Sequence, residues 1–193
     1  MYLWLIVIFA VVVCDQVTKL LVVDLLDRTE SLDIIPGILR FTYTENTGMA
    51  FGMLGEKNQR WVFMVISVIA IAGLLVYMFR AKLKSRWANM ALCLIIGGGI
   101  GNMIDRIFRS GINLRGEKYY FVVDFIDFYA FGKAWVWIFN VADACVCVGG
   151  AMMLGWCIVG MIKEYKADKA AKAVKTAEDD VPDQNTDGES KEQ

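Results

Sequence analysis

The sequence predicts an all-α membrane protein with four transmembrane helices, a small extracytoplasmic β-like region and a disordered C-terminal tail. The first observation is composition: of 193 residues, 57% are hydrophobic and the mean hydropathy is +0.47, which exceeds the apolar share of a soluble domain. The second is distribution, because the apolar residues gather in four stretches of about 20 residues, the length that a bilayer core requires.

The apolar stretches cover residues 3–26, 61–79, 87–107 and 134–162. We expect one transmembrane domain over residues 1–162. The outer connections are expected at 27–60 and 108–133, and a charged tail at 163–193. A cleaved signal peptide is the alternative for the first stretch, but that stretch lacks a basic start and an Ala-x-Ala site and continues past Asp15, so we expect a span.

Basic residues predict the orientation, since loops rich in lysine and arginine stay in the cytoplasm. The residues are Arg80, Lys82, Lys84 and Arg86 between the second and third stretches, and Lys163, Lys166, Lys169 and Lys172 after the fourth. Both termini are therefore expected in the cytoplasm, and the two longer connections on the outer side.

The outer connections and the tail have their own patterns. Leu39, Phe41 and Tyr43 alternate with polar residues, a period of two that predicts a strand or hairpin on the outer membrane surface. The tail begins as a helix rich in lysine and alanine, whose lysines are expected to contact anionic headgroups. From Glu178 it becomes acidic and polar, which predicts disorder.

Histidine is absent from the chain, which excludes histidine general bases, Ser/His and Cys/His dyads and most zinc sites. The five cysteines lie in apolar stretches without a Cys-x-x-Cys pair, so we interpret them as packing residues. We expect no metal and no other cofactor. The net charge of −1 gives no reason to expect a nucleic-acid partner.

Polar side chains inside the spans are candidates for function because burying charge in a bilayer is costly. Asp15 and Lys19 are four residues apart and can pair on one helix face. Asn102, Asp105 and Arg106 lie on one side of the third span, beside four glycines that let another backbone approach closely. The structural alternatives are an ion pair, a helix-end charge cluster and simple helix packing.

In the fourth span, Asn140 and Asp143 are three residues apart and share a face. From the helical rise, Asp143 is expected roughly 12 to 14 Å below the outer end of this span. Asp124 and Asp127 lie among aromatic residues just outside it, where Asp127 is interpreted as an interfacial charge. The acids thus gather in the outer half of the membrane, which predicts a pocket open to the outer leaflet with Asp124 as the partner of Asp143.

Two carboxyl groups held together in a low-dielectric site share one proton, since both cannot ionise comfortably. The protonated carboxyl can polarise a carbonyl group while the ionised one activates water. From the residues alone, this pattern indicates an aspartic hydrolase in a membrane. A proton- or ion-coupled transporter and a non-enzymatic binding protein are the alternatives, although the sequence shows no inverted repeat.

Five short blocks resemble the lipoprotein signal peptidase (signal peptidase II) family and follow its order over residues 10–160. The blocks are DQVTK at 15–19, ENTGMAFG at 45–52, GGGIGNMIDR at 97–106, VVDFIDF at 122–128 and FNVADA at 139–144. The resemblance implies an aspartic endopeptidase of the bacterial inner membrane. Its implied reaction removes the signal peptide from diacylglyceryl-modified prolipoproteins by cutting before the lipidated cysteine.

By the same resemblance, Asp124 and Asp143 match the catalytic pair. Residues matched to substrate binding or site support are Asn46, Gly48, Asn102, Asp105, Arg106 and Asn140. Asp15 and Lys19 match a pair that we interpret as structural, and Met49 stands where the family often has a small residue. The expected partners are lipid-modified prolipoproteins and membrane lipids, and the expected form is a monomer.

Overall fold

A computed structural model describes residues 2–28, 30–48, 56–81 and 83–179. For residues 56–60, 63, 131, 133, 134 and 173–179 it describes the backbone alone. Four helices long and apolar enough to cross a membrane lie within these ranges. They are α1 (Tyr2–Leu25), α2 (Glu56–Ala81), α3 (Arg86–Phe108) and α4 (Val141–Asp179). The four-helix frame predicted from hydropathy is confirmed.

Two antiparallel sheets accompany the helices, one with the strand order β1-β2-β5-β6 and one pairing β3 with β4. The strands are β1 (Ser31–Ile35), β2 (Leu39–Asn46), β3 (Ser110–Ile112), β4 (Lys118–Tyr120), β5 (Val122–Asp127) and β6 (Ile138–Phe139). The alternation of Leu39, Phe41 and Tyr43 does mark a strand, β2. The predicted β-like region is therefore present. With six strands in two sheets among the described residues, it is larger than the predicted all-α class implies.

Strand β5 lies between β2 and β6 and is buried at five of its six positions. Its valines, phenylalanine and isoleucine are residue types that pack well in a sheet. The register places Asp124 opposite Thr44 and Val122 opposite Asn46, and it shifts between Phe41 and Thr44. Such irregularities bend a strand and redirect its side chains. This one ends at Thr44, the residue opposite the buried Asp124.

The fourth helix starts at Val141 rather than at residue 134. Residue 134 is the last residue of a 3₁₀ segment, Tyr129–Ala134. Between this segment and α4 lies the short strand β6. Hydropathy placed them in the span because an apolar, aromatic strand cannot be told from a helix end by composition. The expected depth of Asp143 is therefore wrong, since this residue lies in the first turn of α4.

Helix α3 approaches α1 and α4 closely at its glycines. A Cβ atom on Gly101 would lie 2.5 Å from Oδ2 of Asp15 in α1. A Cβ atom on Gly98 would collide with the backbone carbonyl of Ala142 in α4. Small residues are required where helix backbones meet this closely, which supports the packing interpretation of these glycines.

The chain divides into two compact units, Met1–Met153 and Leu154–Gln193. In the second unit, α4 continues as an exposed helix rich in lysine, where Lys172 Nζ lies 2.8 Å from Asp168 Oδ2. Helical structure is described as far as Asp179. The remainder of the acidic segment predicted to be disordered lies outside the described residues.

Candidate active site

Asp124 lies on β5 and is almost fully buried, with 2% of the residue exposed. Asn46, at the end of β2, donates from Nδ2 to Asp124 Oδ2 over 2.8 Å. Asn140, just before α4, donates from Nδ2 to Asp124 Oδ1 over 2.7 Å. Each carboxyl oxygen therefore accepts a hydrogen bond from a different part of the chain, which fixes the plane of the group.

Asp143 takes part in a reciprocal cap at the start of α4. Its backbone N–H donates to Asn140 Oδ1 over 2.9 Å, and the backbone N–H of Asn140 donates to Asp143 Oδ2 over 3.2 Å. This is a capping box with asparagine and aspartate in place of serine and glutamate. The second oxygen, Oδ1, accepts from Asn102 Nδ2 over 2.7 Å. The Asp143 carboxyl group is thus held at the positive end of the helix dipole.

Asn140 joins the two carboxyl groups. Its side chain is fully buried, with Oδ1 bonded to the N–H of Asp143 and Nδ2 bonded to Asp124. The same Nδ2 lies 3.0 Å from Asn102 Oδ1. The structure therefore brings together the two aspartates that the sequence pointed to, through an asparagine that belongs to neither helix α4 nor strand β5.

Lys19 is the centre of a buried ion network. Its Nζ lies 2.9 Å from Asp15 Oδ2 and 3.0 Å from Asp105 Oδ2, and all three side chains are fully buried. It also donates to Asn102 Oδ1 over 2.9 Å. Because a lysine ammonium can only donate, this contact orients the Asn102 amide so that its Nδ2 faces Asp143.

Asp15 holds the start of α4. Its Oδ1 accepts the backbone N–H of Ala142 over 2.9 Å, a group that has no partner within the helix itself. The expected pair of Asp15 and Lys19 is present, and its contacts are those of a support for the carboxyl-bearing elements.

Asp105 belongs to this network rather than to a helix-end charge cluster. It is fully buried and pairs with Lys19 and with Arg109 Nε, the latter at 2.8 Å. Its Oδ2 accepts the backbone N–H of Val123 over 3.2 Å, which ties α3 to β5. Within the described ranges, no group of three or more histidine, cysteine, aspartate or glutamate side chains is arranged to hold a metal ion.

Arg106 and Gly48 border the site. Arg106 Nη1 donates to the backbone oxygen of Asn102 over 3.4 Å. Gly48 donates its N–H to Asn46 Oδ1 over 2.8 Å and has φ of 81°, a conformation that favours glycine. This contact orients the Asn46 amide. Met49 lies outside the described residues.

Asp127 is not an interfacial charge as expected. It is 7% exposed, and its Oδ2 accepts from Arg40 Nε of β2 over 2.7 Å. The register places Arg40 directly opposite Asp127, and the guanidinium lies 4.8 Å from the ring centroid of Tyr129. Strand register decides this pairing, and the sequence does not reveal the register.

Burial raises the pKa of Asp124 from 3.8 to about 6, because the charged form loses its contact with water. The hydrogen bond from Asn46 opposes this shift, the negative charge of Asp143 adds to it, and the bond from Asn140 opposes it again. A carboxyl group that titrates near neutral pH is suited to proton exchange with a substrate.

An apolar cavity of about 290 Å³ lies between α1, β2 and β5. Its lining includes Leu21 and Val22 of α1, Phe41 of β2 and Phe125 of β5. Because Phe125 follows Asp124 directly, the cavity borders the strand that carries this carboxyl group.

The sequence analysis missed a polar cluster around Glu45, the residue before Asn46. Glu45 Oε1 accepts from Arg28 Nη2 over 2.6 Å and from the Tyr43 hydroxyl over 2.8 Å, and Oε2 accepts from the Tyr119 hydroxyl. We call these four residues the Glu45 cluster. Tyr43 and Glu45 are two residues apart on β2, but Arg28 and Tyr119 come from separate segments, so no sequence spacing connects the whole cluster.

Comparison with known proteins decides the family. Residues 7–159 match the family described as signal peptidase (SPase) II. The chain belongs to the signal peptidase II family. Membership identifies it as an aspartic peptidase of the signal peptidase II type, which removes signal peptides from prolipoproteins, and as a multi-pass protein of a bacterial membrane.

Relatives of this signal peptidase II chain carry the name lipoprotein signal peptidase. The protein of Anoxybacillus flavithermus is 39% identical over 151 residues, or 78% of this chain and 82% of the relative. That of Halalkalibacterium halodurans is 38% identical over 170 residues, or 88% and 98%.

Two solved structures described as bacterial membrane enzymes resemble this signal peptidase II chain in fold. Both are 28% identical to it, with TM-scores of 0.67 and 0.68. The similarity covers 86% and 80% of this chain, and 90% and 91% of the solved chains. The fold is therefore shared over most of both molecules.

Proposed function

We propose that Asp124 and Asp143 are the catalytic pair of this peptidase. The observation that carries the proposal is their shared contact with one buried asparagine, Asn140, which bonds to both. In such a site one carboxyl group keeps a proton while the other is ionised. The pair then titrates as a unit.

In the proposed reaction, the ionised carboxylate removes a proton from water, and the water oxygen attacks the scissile carbonyl carbon. The protonated carboxyl group gives its proton to the carbonyl oxygen, and a tetrahedral intermediate forms. The group that took the proton from water then passes it to the leaving amine as the C–N bond breaks. The hydroxyl proton of the intermediate returns to the other carboxylate, which restores the pair.

We infer that the substrate is a prolipoprotein whose lipobox cysteine carries a diacylglyceryl group, and that cleavage falls just before this cysteine. Family membership supports the inference. The apolar cavity that borders β5 also supports it, because an apolar lining is suited to binding the apolar part of a ligand.

We propose further that both termini face the cytoplasm and that the carboxyl pair lies toward the outer side of the inner membrane. The basic turn between α2 and α3 supports this orientation. The proposed peptidase domain is residues 1–162, with residues 163–193 as a cytoplasmic tail beside anionic headgroups. We expect a monomer, which would give a monomeric protein mass by light scattering in detergent.

A gel-shift assay tests the chemistry. Purified wild-type protein in detergent should cleave a lipidated prolipoprotein and leave the unlipidated form intact. Asp124→Asn and Asp143→Asn should each lower the rate by a factor on the order of 10³. Asp33→Asn, a change at an exposed carboxyl group on β1, is the control and should cleave normally.

Full cleavage by a well-folded Asp124 or Asp143 variant would remove that residue from the pair. Equal cleavage of the unlipidated substrate would overturn the inferred specificity. If wild-type protein fails on a substrate that another family member cleaves, the binding and transport alternatives return.

A further inference from the structure

The Glu45 cluster surrounds a carboxyl group that the proposed reaction does not use. The Glu45 side chain is 13% exposed, whereas that of Arg28 is 66% exposed. Three donors approach the carboxylate: the Arg28 guanidinium, the Tyr43 hydroxyl and the Tyr119 hydroxyl. Burying a carboxylate costs free energy unless hydrogen-bond donors surround it. The three donors are therefore held in one arrangement around Glu45.

The cluster joins three segments at the end of β2. Arg28 lies between α1 and β1, Tyr119 belongs to β4, and Tyr43 and Glu45 belong to β2. The donation from Tyr119 to Glu45 raises the pKa of the Tyr119 hydroxyl, so this phenol remains a donor at neutral pH. The final residues of β2 are therefore held by side chains as well as by the sheet.

The next residue along β2 reaches the proposed catalytic pair. Glu45 pairs with Val123 of β5, and Asn46 pairs with Val122. Successive side chains of a strand point to opposite faces, so Glu45 faces its cluster while the Asn46 amide bonds to Asp124 over 2.8 Å. Asn46 is the last residue of the strand, where backbone pairing alone gives the least support.

We propose that Glu45 is a positioning residue: the side chains that bind it fix the end of β2, and this keeps Asn46 bonded to Asp124. Glu45 makes no contact with the carboxyl pair in the described structure and acts through its neighbour. The inference rests on the proposed function, because it assigns Glu45 to the same reaction.

A double-mutant cycle between Glu45 and Asn46 tests the proposal. Glu45→Ala should lower kcat by about tenfold to a hundredfold, the loss that a small misplacement causes, with KM within about twofold of wild type. On the Asn46→Ala background, the same change should lower kcat by less than about twofold, because the two residues act as one unit. Glu45→Gln should lose less than Glu45→Ala, since its amide oxygen still accepts hydrogen bonds.

Controls separate positioning from stability. Asp33→Ala, which removes an exposed carboxyl group from β1 of the same sheet, should leave kcat unchanged. Melting temperatures of all variants are measured in detergent. If Glu45→Ala does not fold, Tyr119→Phe takes its place in the double-mutant cycle with Asn46→Ala, because this change removes one donor from the Glu45 cluster.

The proposal is overturned if kcat is unchanged in the Glu45 or Tyr119 variant, or if the loss multiplies with that of Asn46→Ala. A loss confined to KM would also overturn it, since it would place Glu45 in substrate binding. Failure of the proposed function is distinguishable, because wild-type protein would then not cleave or Asp124→Asn would cleave normally.

Discussion

At the scale of single residues, Asn140 performs two tasks with one side chain. Its Oδ1 accepts the N–H of Asp143 at the start of α4, and its Nδ2 donates to Asp124. An amide can do both because it carries an acceptor and a donor on one planar group. The stability of the helix start and the placement of the carboxyl group therefore depend on the same residue.

Substitution can separate these two tasks. Asn140→Ala removes both, whereas Asn140→Ser keeps an acceptor suited to a helix N-cap and loses the bond to Asp124. We expect the alanine variant to be less stable than the serine variant by about 1 kcal/mol, measured by thermal unfolding in detergent. Both variants should lose most of their cleavage activity. A fully active serine variant would show that the bond to Asp124 is dispensable.

Asp124 makes the free energy of unfolding depend on pH. Because its pKa is raised from 3.8 to about 6 on folding, the folded chain binds this proton more tightly than the unfolded chain. The resulting stability is present at low pH and is lost as the pH rises through about 6. Asp124→Asn cannot titrate at this position and serves as the reference. The difference in melting temperature, wild type minus Asp124→Asn, should decrease as the pH is raised from about 4 to about 7. A constant difference across this range would contradict the raised pKa.

At the scale of elements, helix α3 packs closely against both α1 and α4. Gly101 and Gly98 allow α1 and α4 to approach its backbone, and Asn102 and Asp105 receive contacts from Lys19 of α1. Polar contact of this kind is possible only because the small residues bring the helices close. Helix packing and the arrangement of the carboxyl groups are therefore linked.

A single methyl group tests this link. Gly101→Ala would place a Cβ atom 2.5 Å from Asp15 Oδ2, whereas Gly73→Ala in α2 meets nothing within 4 Å. We expect Gly101→Ala to cost about 1–3 kcal/mol and to reduce cleavage. The Gly73 variant should keep or gain stability, since alanine favours a helix. Thermal unfolding in detergent compares the two, and equal melting temperatures would argue against the close approach.

At the scale of the whole molecule, the parts that the sequence predicted are those governed by local rules. Apolar length located the first three spans, and the four-residue spacing of Asp15 and Lys19 predicted their ion pair. The start of α4 was misplaced because the residues before it are apolar but extended.

Long-range pairing explains what the sequence could not show. The contact of Asp127 with Arg40 depends on strand register, and the contact of Glu45 with Tyr119 joins residues 74 positions apart. Asp124 was expected to be the partner of Asp143 because the acidic residues of the spans and outer connection gather in the outer half of the membrane, and the family resemblance matched the same two residues. The asparagine that joins them was predicted to support the site, but its double contact was not.

The orientation of the chain in the membrane is also a whole-molecule property. In a variant without native cysteines, Lys84→Cys marks the turn before α3, and Leu114→Cys marks the exposed loop between β3 and β4. A membrane-impermeant maleimide should label position 114 in intact spheroplasts and position 84 only after lysis, because the basic turn is expected in the cytoplasm. The opposite pattern would reverse the proposed topology.

Helix α4 comes after the other described helices along the chain, and its first turn supplies Asp143. A ribosome therefore releases this residue and the adjoining Asn140 only when α1 to α3 have already been made. Until then, the growing polypeptide contains Asp124 without its counterpart. On the proposed assignment, an incomplete translation product lacks one member of the carboxyl pair and cannot cleave a prolipoprotein. The order of synthesis therefore delays activity until α4 has begun.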